Sequence, residues 1–191
     1  MVKKLIVIGA STGGPGRLHT ILEHLPRDFD STIIIAQHMS PPFIPSFVKQ
    51  LSSITPLNVR GVSDKMVIES SSIYICSGAC RLREMDGDIS FFHSEPSDLL
   101  YSPDVDILFL SAAELSGSID KMGIILSGIG DDGARGAKAL FEAGGMCIFE
   151  SEESSTVYGM PRCAIELVPQ AEVGTMPQII QAICNFGAKS V

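Results

Sequence analysis

A serine, a histidine and a pair of aspartates close three apolar runs of this chain, and side chains of these types together perform acyl transfer. Ser11 lies in Gly9-Ala10-Ser11-Thr12-Gly13. This Gly-x-Ser-x-Gly pattern puts a serine on a tight strand-to-helix turn with its hydroxyl exposed. His38 follows a second apolar run, Thr32-Ile33-Ile34-Ile35-Ala36, and a third run leads into Gly128-Ile129-Gly130-Asp131-Asp132-Gly133. A free serine hydroxyl is a poor nucleophile, so a neutral imidazole must take its proton. A carboxylate must then fix the imidazole tautomer and stabilise the imidazolium. Backbone N–H groups at Thr12 and Ile129, in the two glycine turns, are candidates to meet a developing oxyanion. Losing one such donor typically costs about 3 kcal/mol of transition-state stabilisation. Each feature is common alone; their coincidence at three run ends carries the reading. The chain order Ser…His…Asp differs from the Ser…Asp/Glu…His order of α/β-hydrolases, which disfavours that fold.

Other residues compete for attention. A glycine-rich turn before a helix also holds nucleotide phosphates. The turn after the first run lacks the Gly-x-Gly-x-x-Gly order, no acidic residue ends the second run, and no Gly-Lys-Ser/Thr occurs. His19 and His24 fall on the polar side of a helical pattern and read as surface residues. His93 follows a hairpin pattern and reads as solvated. Glu150, Glu152 and Glu153 read as a hydrated face, with rimming of a crevice as the alternative. Cys76 and Cys80 stand four apart without a second Cys/His pair at zinc spacing.

The elements that must position these groups alternate. Residues 4–9 form a short run ending in glycine, as a strand buried on both faces does. Leu18, Ile21, Leu22 and Leu25 share one face of a helix ending before Pro26, and Thr32–Ala36 is a second buried strand. The middle third differs. A helix over about Ile44–Leu51 is followed by short strands at Asn58–Val62 and Ser72–Cys76. A hairpin at Arg81–Glu84 and Ile89–Phe92 then turns on Asp86-Gly87. These middle strands are expected to be antiparallel additions to an α/β core. The alternation resumes with a helix at Val105–Leu115, a strand at Gly123–Leu126, a helix at Ala134–Phe141 and a strand at Met146–Phe149. Helices at Pro161–Glu166 and Pro177–Phe186 end the chain. The expected fold is α/β, a three-layer α/β/α sandwich with a mostly parallel sheet and an added antiparallel hairpin. In such sheets ligands bind outside the carboxyl ends of the strands, where Ser11, His38 and the aspartates fall.

Composition excludes several classes. The chain has 191 residues, 45% of them apolar, and a formal net charge of -8. That balance argues against nucleic acid as a partner, because phosphate contacts need a basic footprint. Five cysteines, an odd number, fit a reducing cytosol better than a disulfide framework. No apolar run approaches the length of a membrane span, and the first ten residues are too briefly apolar for a signal peptide. Oligomeric state has no sequence signal.

Five ordered motifs resemble the catalytic domain of CheB-type chemotaxis protein-glutamate methylesterases. They are Ile8-Gly9-Ala10-Ser11-Thr12-Gly13-Gly14, Gln37-His38-Met39, Pro103-Asp104-Val105-Asp106-Ile107-Leu108-Phe109, Leu126-Ser127-Gly128-Ile129-Gly130-Asp131-Asp132-Gly133-Ala134 and Gly159-Met160-Pro161-Arg162. The resemblance runs from about Lys4 to the C-terminus. It implies hydrolysis of glutamate methyl esters on the cytoplasmic helices of chemoreceptors, and in some members deamidation of receptor glutamine. It makes Ser11 the nucleophile, His38 the base and Asp132, rather than Asp131, the orienting acid, with the Thr12 and Ile129 amides as the oxyanion hole. No cofactor is required. The location implied is cytoplasmic, without membrane insertion. Ile129 stands where the family often has methionine, and Ser102 where it commonly has arginine. Family members usually carry an N-terminal receiver domain and linker. Residues 1–191 are expected to form one catalytic domain without either.

Overall fold

A computed structural model describes residues 1–93 and 101–189. Strand β1 (Lys4–Ala10) leads through helix α1 (Gly14–Glu23) to β2 (Thr32–Gln37). A 3-10 turn at Pro41–Phe43 and helix α2 (Ile44–Ser52) lead to β3 (Asn58–Gly61), β4 (Ser72–Ile75), β5 (Cys80–Met85) and β6 (Asp88–His93). Then come α3 (Val105–Ala113), β7 (Asp120–Ile125), α4 (Ala134–Glu142), β8 (Met146–Glu150), α5 (Met160–Leu167), β9 (Glu172–Gly174) and α6 (Met176–Phe186). Seven strands form one sheet in the order β3-β4-β2-β1-β7-β8-β9, and β5-β6 form a second. Every pairing in the large sheet is parallel.

Strand β1 shows why the sheet is covered on both faces. All but its first residue are buried, so successive side chains, pointing to opposite faces, all need apolar partners. Leu5 and Val7 pack with Val105, Phe109, Ala137, Leu140 and Met160 from α3, α4 and α5. Ile6 and Ile8 pack with Leu18, Ile21, Phe47, Ile179 and Ile183 from α1, α2 and α6. These are the three layers the sequence led one to expect. Among the described residues, no helix is long and apolar enough to cross a membrane.

The middle third corrects an expectation. Among the described strands only β5 and β6 pair antiparallel, joined through Asp86-Gly87 with both residues at positive φ. Strands β3 and β4 pair parallel with each other, and β4 with β2. They belong to the large sheet. The segment between them carries no helix, which removed the usual sign of a parallel crossover. One boundary also differs, and one strand was not expected. Strand β7 begins at Asp120, before the apolar run, because Lys121 is buried with its ammonium donating to the Leu115 carbonyl at 2.7 Å. Strand β9 has three residues, two of them exposed, and carries no apolar run to announce it.

The topology opens a crevice at one place. From β1 the chain crosses to β2 on one side, and from β7 to β8 on the other. The loops after β1 and β7 therefore diverge, and the gap between them is where a parallel sheet accepts a ligand.

Candidate active site

Ser11 sits at that divergence. Its N–H donates to the Ser127 carbonyl at 3.0 Å, extending the β1–β7 pairing by a residue into the loops. The turn beyond it needs Gly13, whose φ is +84° and which precedes α1 without a side-chain cap. Gly128 makes the room. A methyl group there would lie 2.7 Å from Ser11 Cβ and would collide with Met160 Sδ.

His38 follows β2, the neighbour of β1. The register pairs Ala10 with Gln37, and the His38 N–H donates to the Ala10 carbonyl at 2.9 Å. Ser11 and His38 are thus next to each other across two adjacent strand ends, whose backbones are about 4.8 Å apart in a sheet. Buried Gln37 ties them together: its amide donates to the carbonyls of Ser11 at 2.9 Å and His38 at 3.0 Å.

Asp132 reaches the same histidine from the loop after β7. His38 Nε2 and Asp132 Oδ2 are 2.6 Å apart. The carboxylate is 3% exposed. It also accepts the Val105 N–H on Oδ2 and the Asp106 N–H on Oδ1, both at 2.9 Å. Those donors are the first two of α3, so the charge sits at a helix N-terminus, where backbone dipoles favour it. Asp104 caps the same helix by accepting the Ile107 N–H at 2.7 Å. The Pro103–Phe109 motif is therefore the cradle of Asp132. Asp131 faces elsewhere, accepting the Tyr101 hydroxyl at 3.3 Å.

With Asp132 on Nε2, the ring nitrogen left for Ser11 is Nδ1. Among the described residues no hydrogen bond joins Ser11 Oγ to the ring, and such bonds commonly tighten only when substrate arrives. The N–H groups of Thr12 and Ile129 donate to no described residue. Thr12 is exposed, and Ile129 is 63% exposed.

Two further neighbours shape the site. Tyr101 stacks on His38 with centroids 4.9 Å apart and planes 4° from parallel. Partial burial first, then the Asp131 charge, push its phenol above the usual value. The second is Glu150, expected on a hydrated face or a crevice rim and found fully buried. Its Oε2 accepts the Ser127 N–H at 2.7 Å, and its Oε1 accepts from Arg17 Nε and Ser154 Oγ, each at 3.0 Å. Ser127 Oγ in turn donates to the Thr12 carbonyl at 2.7 Å. An ion pair beneath the site thus joins α1, β8 and both loops. Its only sequence signal was two opposite charges at one end of the sheet, Arg17 just inside α1 and Glu150 at the close of β8. Glu150→Ala is expected to destabilise the fold by about 2–4 kcal/mol, because it leaves Arg17 without a counter-ion, though still donating to the Ser154 carbonyl, and the Ser127 N–H without its acceptor. Arg17 is 24% exposed, which favours the lower end. Urea unfolding measures this, and Glu150→Gln, which keeps an acceptor for Ser127, should lose less.

The remaining candidates disperse. His19 is part-exposed beside Glu23, and exposed His24 bonds the Thr20 carbonyl of its own helix. Glu152 and Glu153 are exposed. Cys76 and Cys80 are buried free thiols. His93 ends β6, and its side chain lies outside the described residues.

Fold and site together define a class: open parallel α/β domains whose switch point gathers a serine, a histidine and a histidine-bound aspartate. Residues 6–183 match the family model described as CheB methylesterase, and the chain belongs to that family. It is 38% identical over 167 residues to a protein-glutamate methylesterase/protein-glutamine glutaminase of Caldanaerobacter subterraneus subsp. tengcongensis, covering 85% of this chain and 46% of that protein. It is 34% identical over 187 residues to a protein of the same name from Mesorhizobium japonicum, covering 94% and 54%. The chain spans about half the length of these curated relatives. The crystal structure of the Thermotoga maritima CheB methylesterase catalytic domain superposes with a TM-score of 0.90 at 33% identity, covering 97% of this chain and 99% of that one.

Proposed function

We propose that this chain hydrolyses glutamate γ-methyl esters on the cytoplasmic helices of chemotaxis receptors, with Ser11 as nucleophile, His38 as base and Asp132 as the acid that orients it. The observation that carries the reading is the 2.6 Å His38–Asp132 bond beside Ser11 at the switch point. Asp132 keeps the ring proton on Nε2, so Nδ1 presents its lone pair to Ser11 Oγ. The hydroxyl oxygen attacks the ester carbonyl while Nδ1 takes its proton. The Thr12 and Ile129 N–H groups receive the oxyanion. The tetrahedral intermediate expels methoxide, which takes the proton from His38 and leaves as methanol. Water, deprotonated by the same nitrogen, then hydrolyses the acyl-enzyme and frees the glutamate carboxylate.

The same steps act on a side-chain amide, with ammonia leaving in place of methanol. The name shared by the two curated relatives supports that second substrate. Nothing in the mechanism calls for a cofactor, and the reaction is placed in the cytoplasm because receptor methylation sites face it. One experiment tests the reading. A fluorophosphonate probe should label Ser11 stoichiometrically, and methylated receptor fragment should release methanol. A protein that takes no label and releases none is a binding module instead.

A further inference from the structure

The loop after β7 presents two consecutive carboxylates, and the proposed reaction uses one. Asp132 holds His38 Nε2; Asp131 holds the Tyr101 hydroxyl. The two side chains so held are the two that stack on each other. We propose that Tyr101 is a positioning residue for His38: its ring fixes the plane of the imidazole, and Asp131 fixes Tyr101 through the phenol.

Several independent features support this arrangement. A single edge bond to Nε2 fixes one point of the imidazole but lets its plane swing, and swinging moves Nδ1 away from Ser11. A parallel ring with its centroid 4.9 Å away blocks that motion on one side. The distance lies in the range where aromatic pairs attract beyond simple burial. The segment carrying Tyr101 is itself tied to the segment carrying His38, because the Met39 N–H donates to the Ser102 carbonyl at 3.2 Å. The loop leaves a slot for the phenol at Gly130, whose φ is +90°. A methyl group there would lie 2.8 Å from the Tyr101 oxygen. Stacking also matters most when His38 carries a proton, because an aromatic face within about 6 Å attracts a cation. The gain therefore falls in the transition state.

The kinetic part rests on the esterase reading above; the spectroscopic part does not. In protein labelled with ¹³C-histidine, the His38 Cε1 proton, assigned by its loss in His38→Gln, should be shifted upfield by the Tyr101 ring current. Tyr101→Leu should move that resonance downfield, and Tyr101→Phe, which keeps the stack, should largely retain it. Asp131→Ala should move it partway in the same direction. For methanol release, Tyr101→Leu should lower kcat about five- to ten-fold with KM nearly unchanged, and Tyr101→Phe should restore most of kcat. An unmoved His38 resonance in Tyr101→Leu overturns the proposal. So does a rise in KM at constant kcat, which would make Tyr101 a substrate contact. A loss in Tyr101→Phe as large as in Tyr101→Leu would also overturn it, by placing the effect in the hydroxyl. A wild-type protein that shows the ring-current shift but releases no methanol refutes the esterase reading and leaves the stack standing.

Discussion

Ser11→Ala should lose methanol release by about 10⁶-fold while keeping the fold, the size of loss seen when the nucleophile of other serine hydrolases is removed. The large effect follows from the geometry around the serine. Its backbone is fixed whatever its side chain, by the bonds to Ser127 and Gln37 and by the room at Gly128. Alanine therefore changes one oxygen and nothing that positions it. What remains is binding and the N–H groups of Thr12 and Ile129, which in the proposed reaction stabilise an oxyanion but form no acyl-enzyme. Steady-state methanol release and single-turnover acylation measure the loss. Retention of more than a hundredth of wild-type activity would mean that another group attacks the ester.

Asp132→Asn should cost about 10⁴-fold in kcat, comparable to the same change in other triads. An asparagine must place its NH₂ group on one side. Toward His38 it donates to Nε2, forces the ring proton onto Nδ1 and removes the lone pair that the proposed reaction uses to deprotonate Ser11. It then also meets the Val105 N–H, donor against donor. Turned the other way it confronts the Asp106 N–H. Either choice leaves a buried N–H of α3 without its acceptor, so stability should also fall, by about 1–3 kcal/mol. Asp131→Asn provides the contrast, since an amide oxygen still accepts the Tyr101 hydroxyl. It should change kcat little. Comparable losses in the two variants would dissolve the distinction between the aspartates.

Much of this arrangement was legible in the residues. Strands β1 and β2 are continuous apolar runs because both of their faces are covered, and that signal is hard to mistake. Helix α1 showed its apolar face at Leu18, Ile21 and Leu22, and Asp86-Gly87 fixed the hairpin turn. Strands β3 and β4 were legible as strands but not as members of the parallel sheet. Parallel or antiparallel pairing depends on how the chain crosses between strands, and no helix marked that crossing. Glu150 misled for a related reason. A carboxylate after a strand reads as hydrated unless its partner is known, and Arg17 is 133 positions away in the chain.

The sequence by itself determined the chemistry on offer: a serine on a glycine turn, a histidine and a carboxylate, each at the end of a buried strand. It fixed them there because apolar runs and glycine turns act over a few residues, within the reach of local pattern. Only the tertiary structure decided which partner each group meets. It laid Tyr101 against the imidazole, set Asp131 on the Tyr101 hydroxyl and set Arg17 on Glu150. Those choices depend on where strands β1, β2, β7 and β8 lie side by side. Apolar periodicity along one element does not record which distant element will lie beside it.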